Sequence, residues 1–179
     1  NGNDFIVTLG NAGFSTSTAN SLNYLINSQA STIMHELGHN LGLYHGGDKE
    51  ENYKPNYISI MNYMYSNYGN PTPGDSKYVE GDRYYYYRLS DVGETTFKTW
   101  YLPTGDWTGL HNNPYSESML LDYSDGTSAD IDENNITEST AFGRSSSSGV
   151  DFNGDNDKTD SGLALDLNPT DTPGKTILK

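Results

Sequence analysis

Histidine is scarce in this chain of 179 residues, yet three of its four histidines fall in the segment "TIMHELGHNLGLYHGG", residues 32 to 47. His35 and His39 stand four apart, so on a helix their imidazoles leave the same face and can converge on one ion. Glu36 is rotated from His35 by about 100° on the helical period, so it stands beside such an ion and reaches a water molecule rather than the ion itself. Past His39, Gly42 lets the chain leave the helix and turn, and His45 returns a third nitrogen to the same point. Three neutral imidazoles with one open position describe a catalytic zinc site rather than a closed structural one. Zinc lowers the pKa of a bound water toward about 7, and Glu36 then serves as general base in the attack on a carbonyl carbon. Histidines at this spacing also occur as plain hydrogen-bonding residues, and a structural zinc site is the nearer rival. Neither alternative gives Glu36 a purpose.

The elements that must hold these groups are legible in outline. "DFIVTLG", residues 4 to 10, is a short β-branched run ended by Gly10-Asn11 and reads as a strand. From about Ser28 the spacing of Ile33, Met34, Leu37 and Leu41 predicts a helix buried along that side, with Gly42 as its stop. Residues 46 to 75 are rich in loop formers around an apolar "ISIMNYMY". "DRYYYYRLSDVGETTFKTWYLPTGDW" is aromatic and strand-like, with neither alternate face marked as buried. "DIDENNITEST", residues 130 to 140, reads as a short helix or helical turn with acids near its start. "GRSSSSG" reads as a flexible connector.

Beyond the histidines, "HELGHNLGLYH" resembles the long zinc-binding consensus of the metzincin metalloendopeptidases, and "SIMNY", residues 59 to 63, resembles their Met-turn. The resemblance implies that Met61 packs beneath the histidines as an apolar floor. It also implies, as in astacins and serralysins, that Tyr63 lies near zinc and donates to the tetrahedral intermediate through its hydroxyl; a plain packing aromatic is the alternative. The residue after His45 is Gly46, where astacins carry glutamate, serralysins proline, reprolysins aspartate and matrixins serine. The later segments "LLDYSDGTSADIDENNITE" and "VDFNGDNDKTDSGLALDLN" resemble a microbial, reprolysin-like secreted group.

The implied fold is α/β in the broad sense, of the α+β kind. Residues 1–45 would be the remnant of an upper subdomain with edge strand and zinc helix, and residues 46–179 a lower, irregular subdomain with the Met-turn. In metzincins most of a twisted sheet precedes the zinc helix, so the upper sheet is expected to be largely missing here, cleaved off or supplied by a separate N-terminal fragment of the same precursor. The edge strand would pair with an extended substrate.

Composition narrows the partners. The formal charge of −14, from 10 basic and 24 acidic side chains, opposes nucleic acid and acidic membranes. There is no cysteine, so a metal must be held by nitrogen and oxygen. No apolar run reaches the roughly 20 residues that cross a bilayer. Abundant Asn, Ser, Thr, Tyr and Gly suit an extracellular, secreted protein. In "DFNGDNDKTD" the alternation of Asp151, Asn153, Asp155, Asp157 and Asp160 is that of half a calcium loop, although Gly162 stands where a bidentate glutamate belongs. A solvated acidic turn is the simpler account. Asp122, Asp125, Asp130, Asp132, Glu133 and Glu138 read as a solvated face, and His111 as a loop histidine. The function expected is zinc-dependent endopeptidase activity on protein or peptide. The alternatives are a non-catalytic, metal-stabilised adhesion or binding module and a latent or cleaved fragment of a metallopeptidase.

Overall fold

The computed structural model of the chain describes residues 4–8, 19–66, 69–70, 117, 119–140, 149–150, 152–153, 155, 157–168 and 177–178. A long helix, α1 (Ala19–Asn40), is followed by a single helical turn, α2 (Tyr63–Ser66). Four very short strands come after: β1 (Ile131–Asp132), β2 (Ile136–Thr137), β3 (Ser161–Leu163) and β4 (Ile177–Leu178). β1 pairs antiparallel with β4, Ile131 opposite Leu178, and β2 pairs antiparallel with β3, Ile136 opposite Leu163. Helices and antiparallel pairs occupy separate stretches of chain, which is compatible with an α+β arrangement. Among the described residues no helix is long and apolar enough to cross a membrane.

The main core is built by the segments after α1. Ile58, Met64, Tyr65, Ile131, Ile136, Val150, Phe152, Leu167 and Leu178 form one buried cluster. Buried asparagines then satisfy the backbone of the loops around it. Asn56 Nδ2 donates to the carbonyls of Ala129 and Leu178, both at 2.9 Å. Asn62 Nδ2 donates to those of Lys54 and Tyr57, and Asn70 Nδ2 to that of Asp122. Irregular backbone can be buried here because these amides supply the partners that a sheet ladder otherwise provides. Part of the asparagine content read as surface character is therefore interior.

Several expectations are corrected. Residues 4–8 of the expected strand have no regular structure, and Ile6 is 86% exposed. A strand needs a hydrogen-bonded neighbour, and no described segment pairs with this one. α1 begins at Ala19, well before Ser28. Its apolar side is not buried: Ile33, Leu37 and Leu41 are exposed, together with Leu22 and Ile26. The face that packs carries Ser31, His35 and Gly38 instead. Residues 130–140 form β1, a turn and β2 rather than a helix, since Ile131, Glu133, Ile136 and Glu138 all point inward. Glu133 and Glu138 are accordingly fully buried, not solvated: Glu133 accepts the N–H of Leu167, and Glu138 those of Phe152 and Asn153. The aromatic run at 82–107, His111, Asp151 and the serine connector lie outside the described residues.

Candidate metal centre

α1 is tied to the lower segments along the face that bears His35. Ser31 Oγ donates to the carbonyl of Ser66, and Tyr123 Oη donates to that of Met34 at 2.6 Å. Between these anchors Gly38 meets Met61. A methyl group built on Gly38 would overlap the Met61 sulfur and touch the Tyr123 ring. Met61 is wholly buried, so its thioether lies flat against the helix only because residue 38 has no side chain.

The helix ends in a Schellman arrangement. Leu43 N–H donates to the Gly38 carbonyl at 2.9 Å and Gly42 N–H to that of His39 at 3.0 Å, with Gly42 at φ +90°. This reversal has a direct use, because the Leu43 carbonyl then accepts Nδ1–H of His39 at 2.8 Å. The chain folds again at once: Tyr44 and Gly47 exchange backbone hydrogen bonds of 2.8 and 3.0 Å, leaving His45 and Gly46 as the corner. Gly46 has a steric reason of its own, since a side chain there would strike the carbonyl of Glu51. The buried Lys54 closes the corner by donating to the Gly46 carbonyl at 2.8 Å. Burial pushes the Lys54 ammonium below its usual range.

Three imidazoles meet as a result. Ring centroids lie 4.8 Å apart for His35 and His39, 4.9 Å for His39 and His45, and 5.3 Å for His35 and His45. Their candidate ligand atoms all fall within 4.8 Å of one another. Each Nδ1 is turned outward, that of His35 to the Ile60 carbonyl at 2.9 Å and that of His45 to the Glu50 carboxylate at 3.5 Å. A carbonyl only accepts, so Nδ1 of His35 and of His39 carries the proton and Nε2 is left as the basic nitrogen. Burial, and after it the carbonyl of Ile60 and the charges of His39 and Glu36, set the titration of His35, with the net result below the ordinary histidine value. Three imidazoles of this spread, two of them with Nε2 free of the proton held by Nδ1, fit a divalent ion of borderline softness such as zinc.

Tyr63 stands over the triad. Its ring stacks on His35 at 5.4 Å and 18°, and lies 4.5 Å from that of His45. Desolvation first, then Tyr53, Glu36 and Glu50, hold its phenol above the usual tyrosine range. Glu36 follows His35 on α1, is half-buried, and its charge bears on both His35 and Tyr63. The sequence names the three histidines, Glu36, Gly42, Met61 and Tyr63 but gives no sign of Gly38, Glu50, Tyr53 and the Ile60 carbonyl as parts of the site, with one exception. Gly38 alone carried a signal, as a glycine inside a helix where alanine is the better former.

A second convergence lies in the acidic loop, where carboxylate oxygens of Glu138, Asp157 and Asp160 come within 4.8 Å of one another. Asn153 and Asp155 are held beside them by turns of their own side chains, Asn153 donating to Asp160 and accepting from Asp155 N–H. Of the alternating set expected from the sequence, Asp157 and Asp160 thus converge with Glu138, a glutamate from just past the β2 end.

Residues 1–46 match the family model of the reprolysin-like metallopeptidases, metallo-peptidase family M12B. No curated protein and no solved structure matches the chain. The matched span ends one residue beyond the third histidine, at Gly46. Together with the triad, the match over that span suggests a zinc-dependent peptidase, with protein or peptide as the implied substrate.

Proposed function

We propose that the chain carries the catalytic centre of a zinc-dependent endopeptidase, with His35, His39 and His45 as the metal ligands and Glu36 as the general base. One observation carries this reading. Three imidazoles converge against the Tyr63 ring, with Nδ1 of His35 and of His39 donating to backbone carbonyls and that of His45 facing Glu50. When bound, zinc supplies a Lewis acid that acidifies water and polarises a peptide carbonyl. The chain does the rest. Glu36 takes the proton of the attacking water and returns it to the departing amine. Tyr63, whose phenol stays protonated to higher pH than an ordinary tyrosine, donates a hydrogen bond to the carbonyl oxygen as charge develops there. Met61 keeps the floor apolar and supports the helix at Gly38. The resemblance supports a division of the chain at residues 45 and 46 and secretion of the protein.

Hydrolysis of casein or a quenched peptide is expected to stop on chelation and return with zinc. Glu36→Gln should lower kcat by a factor of about 100 to 10,000 with zinc still bound. Wild-type rates in that variant would defeat the reading. Tight zinc binding with no turnover by the wild type would favour the adhesion module or a latent fragment.

A further inference from the structure

We propose that Asn52 is a positioning residue for Tyr63, its buried carboxamide oxygen anchoring the backbone from which Tyr63 reaches the histidine triad and Tyr53 flanks the Tyr63 ring. Asn52 Oδ1 accepts the N–H of Tyr63 at 3.0 Å and that of Tyr53 at 2.8 Å. Tyr63 opens α2, whose capping residue Asn62 accepts the Met64 and Tyr65 N–H groups and leaves that of Tyr63 without a helical acceptor. Asn52 fills that need from eleven residues upstream. The anchor is itself held, because the carbonyl of Asn52 accepts from the buried Asn168 amide at 3.2 Å.

Packing does not hold the Tyr63 ring by itself, since the residue is 41% exposed. Its aim at His35 and His45 is therefore set where its backbone is tied. Tyr53 shows the same control from the other side. It sits at φ +60°, a left-handed conformation that bulky residues rarely adopt. In that conformation its ring lies 6.0 Å from that of Tyr63 while it packs on the core cluster. A strained residue persists only where its surroundings over-determine it, and the shared Asn52 oxygen is one of the restraints. The segment after the third histidine thereby does more than leave the site: it returns to set the phenol that faces it.

The catalytic consequence rests on the proposed role of Tyr63, whereas the positional claim does not, so two readouts are needed. In the full chain labelled with ring-13C tyrosine, the Tyr63 resonance is identified by its loss in Tyr63→Phe. Asn52→Ala should shift or broaden that resonance, and Asn52→Asp, which keeps an acceptor oxygen, should restore it. In the zinc-loaded protein, Tyr63→Phe should reduce kcat about 100-fold and Asn52→Ala about tenfold, with KM nearly unchanged. The double variant should be no slower than Tyr63→Phe alone. An unmoved Tyr63 resonance in Asn52→Ala, or losses that multiply in the double variant, would overturn the proposal. If Asn52→Ala does not fold, Asn52→Gln carries the same comparison, because its amide sits one methylene away from both N–H groups. A wild-type chain that binds zinc but cleaves nothing overturns the peptidase reading alone, and the resonance still decides the position of Tyr63.

Discussion

Gly38 and Met61 show how strongly one absent side chain governs the centre. Replacing Gly38 by alanine suits the helix but drives a methyl group into the Met61 sulfur in a fully buried contact. Overpacking of this kind costs about 1–3 kcal/mol, against which alanine returns about 1 kcal/mol of helix propensity. Gly38→Ala should therefore lower the thermal midpoint and weaken zinc binding, and a midpoint at or above wild type would contradict the packing described. His35 supplies a pH prediction. Its folded-state pKa is depressed, chiefly by burial, so the unfolded chain binds more protons below the ordinary value of about 6.5. The stability it contributes is full above that pH and is lost as pH falls toward the folded value. Metal-free protein should lose thermal stability between neutral and mildly acidic pH, and less steeply in His35→Gln. Equal slopes in the two proteins would refute this.

At the scale of elements, the end of α1 decides where His39 and His45 go. Gly42 has open space for a side chain, so only its φ of +90° opposes substitution. Gly42→Ala should cost about 1 kcal/mol or slightly more through left-handed strain. Because the Leu43 carbonyl that holds His39 depends on that reversal, zinc affinity should fall with the midpoint; calorimetric titration with zinc would show it. The match of sequence and structure is uneven along this element. Helix, stop and histidine register were legible because periodicity and the glycine rule are local. The buried side was misjudged, because Ile33, Leu37 and Leu41 face outward while the packed face carries Ser31, His35 and Gly38. Apolar periodicity identifies a stripe, not the neighbour that covers it. The strand pairs β1–β4 and β2–β3 were missed for a related reason. Strands of two or three residues have no periodicity to read, and their partners lie far along the chain.

For the whole molecule, the main core and the histidine triad meet at the segment of residues 59–63. Ile60 N–H donates to the Asp122 carbonyl, its own carbonyl holds His35, and Asn56 ties the loop before it to β4. Zinc that binds only the folded triad should raise stability by about 2.7 kcal/mol at a hundred times its dissociation constant. The shift should disappear in His35→Gln, as thermal melts with and without zinc would test. Asn56→Ala removes one amide from two buried carbonyls and should cost about 1–3 kcal/mol without touching a ligand. Denaturant melts that show no loss would mean those carbonyls find other partners.

The sequence by itself determined which groups are available for the proposed chemistry: three imidazoles at helical and turn spacing, a carboxylate next to the first, a glycine able to reverse the chain, and a methionine and tyrosine downstream. Those features are local, set by the period of a helix and the conformational freedom of glycine. Tertiary structure alone decided which carbonyls and carboxylates hold each Nδ1, why residues 38 and 46 must be glycine, and that buried amides, not a sheet, support the floor of the site. Each of these is a contact between groups distant in sequence or a clearance measured against a backbone elsewhere. No spacing rule encodes such a contact, because it exists only once the chain has closed on itself.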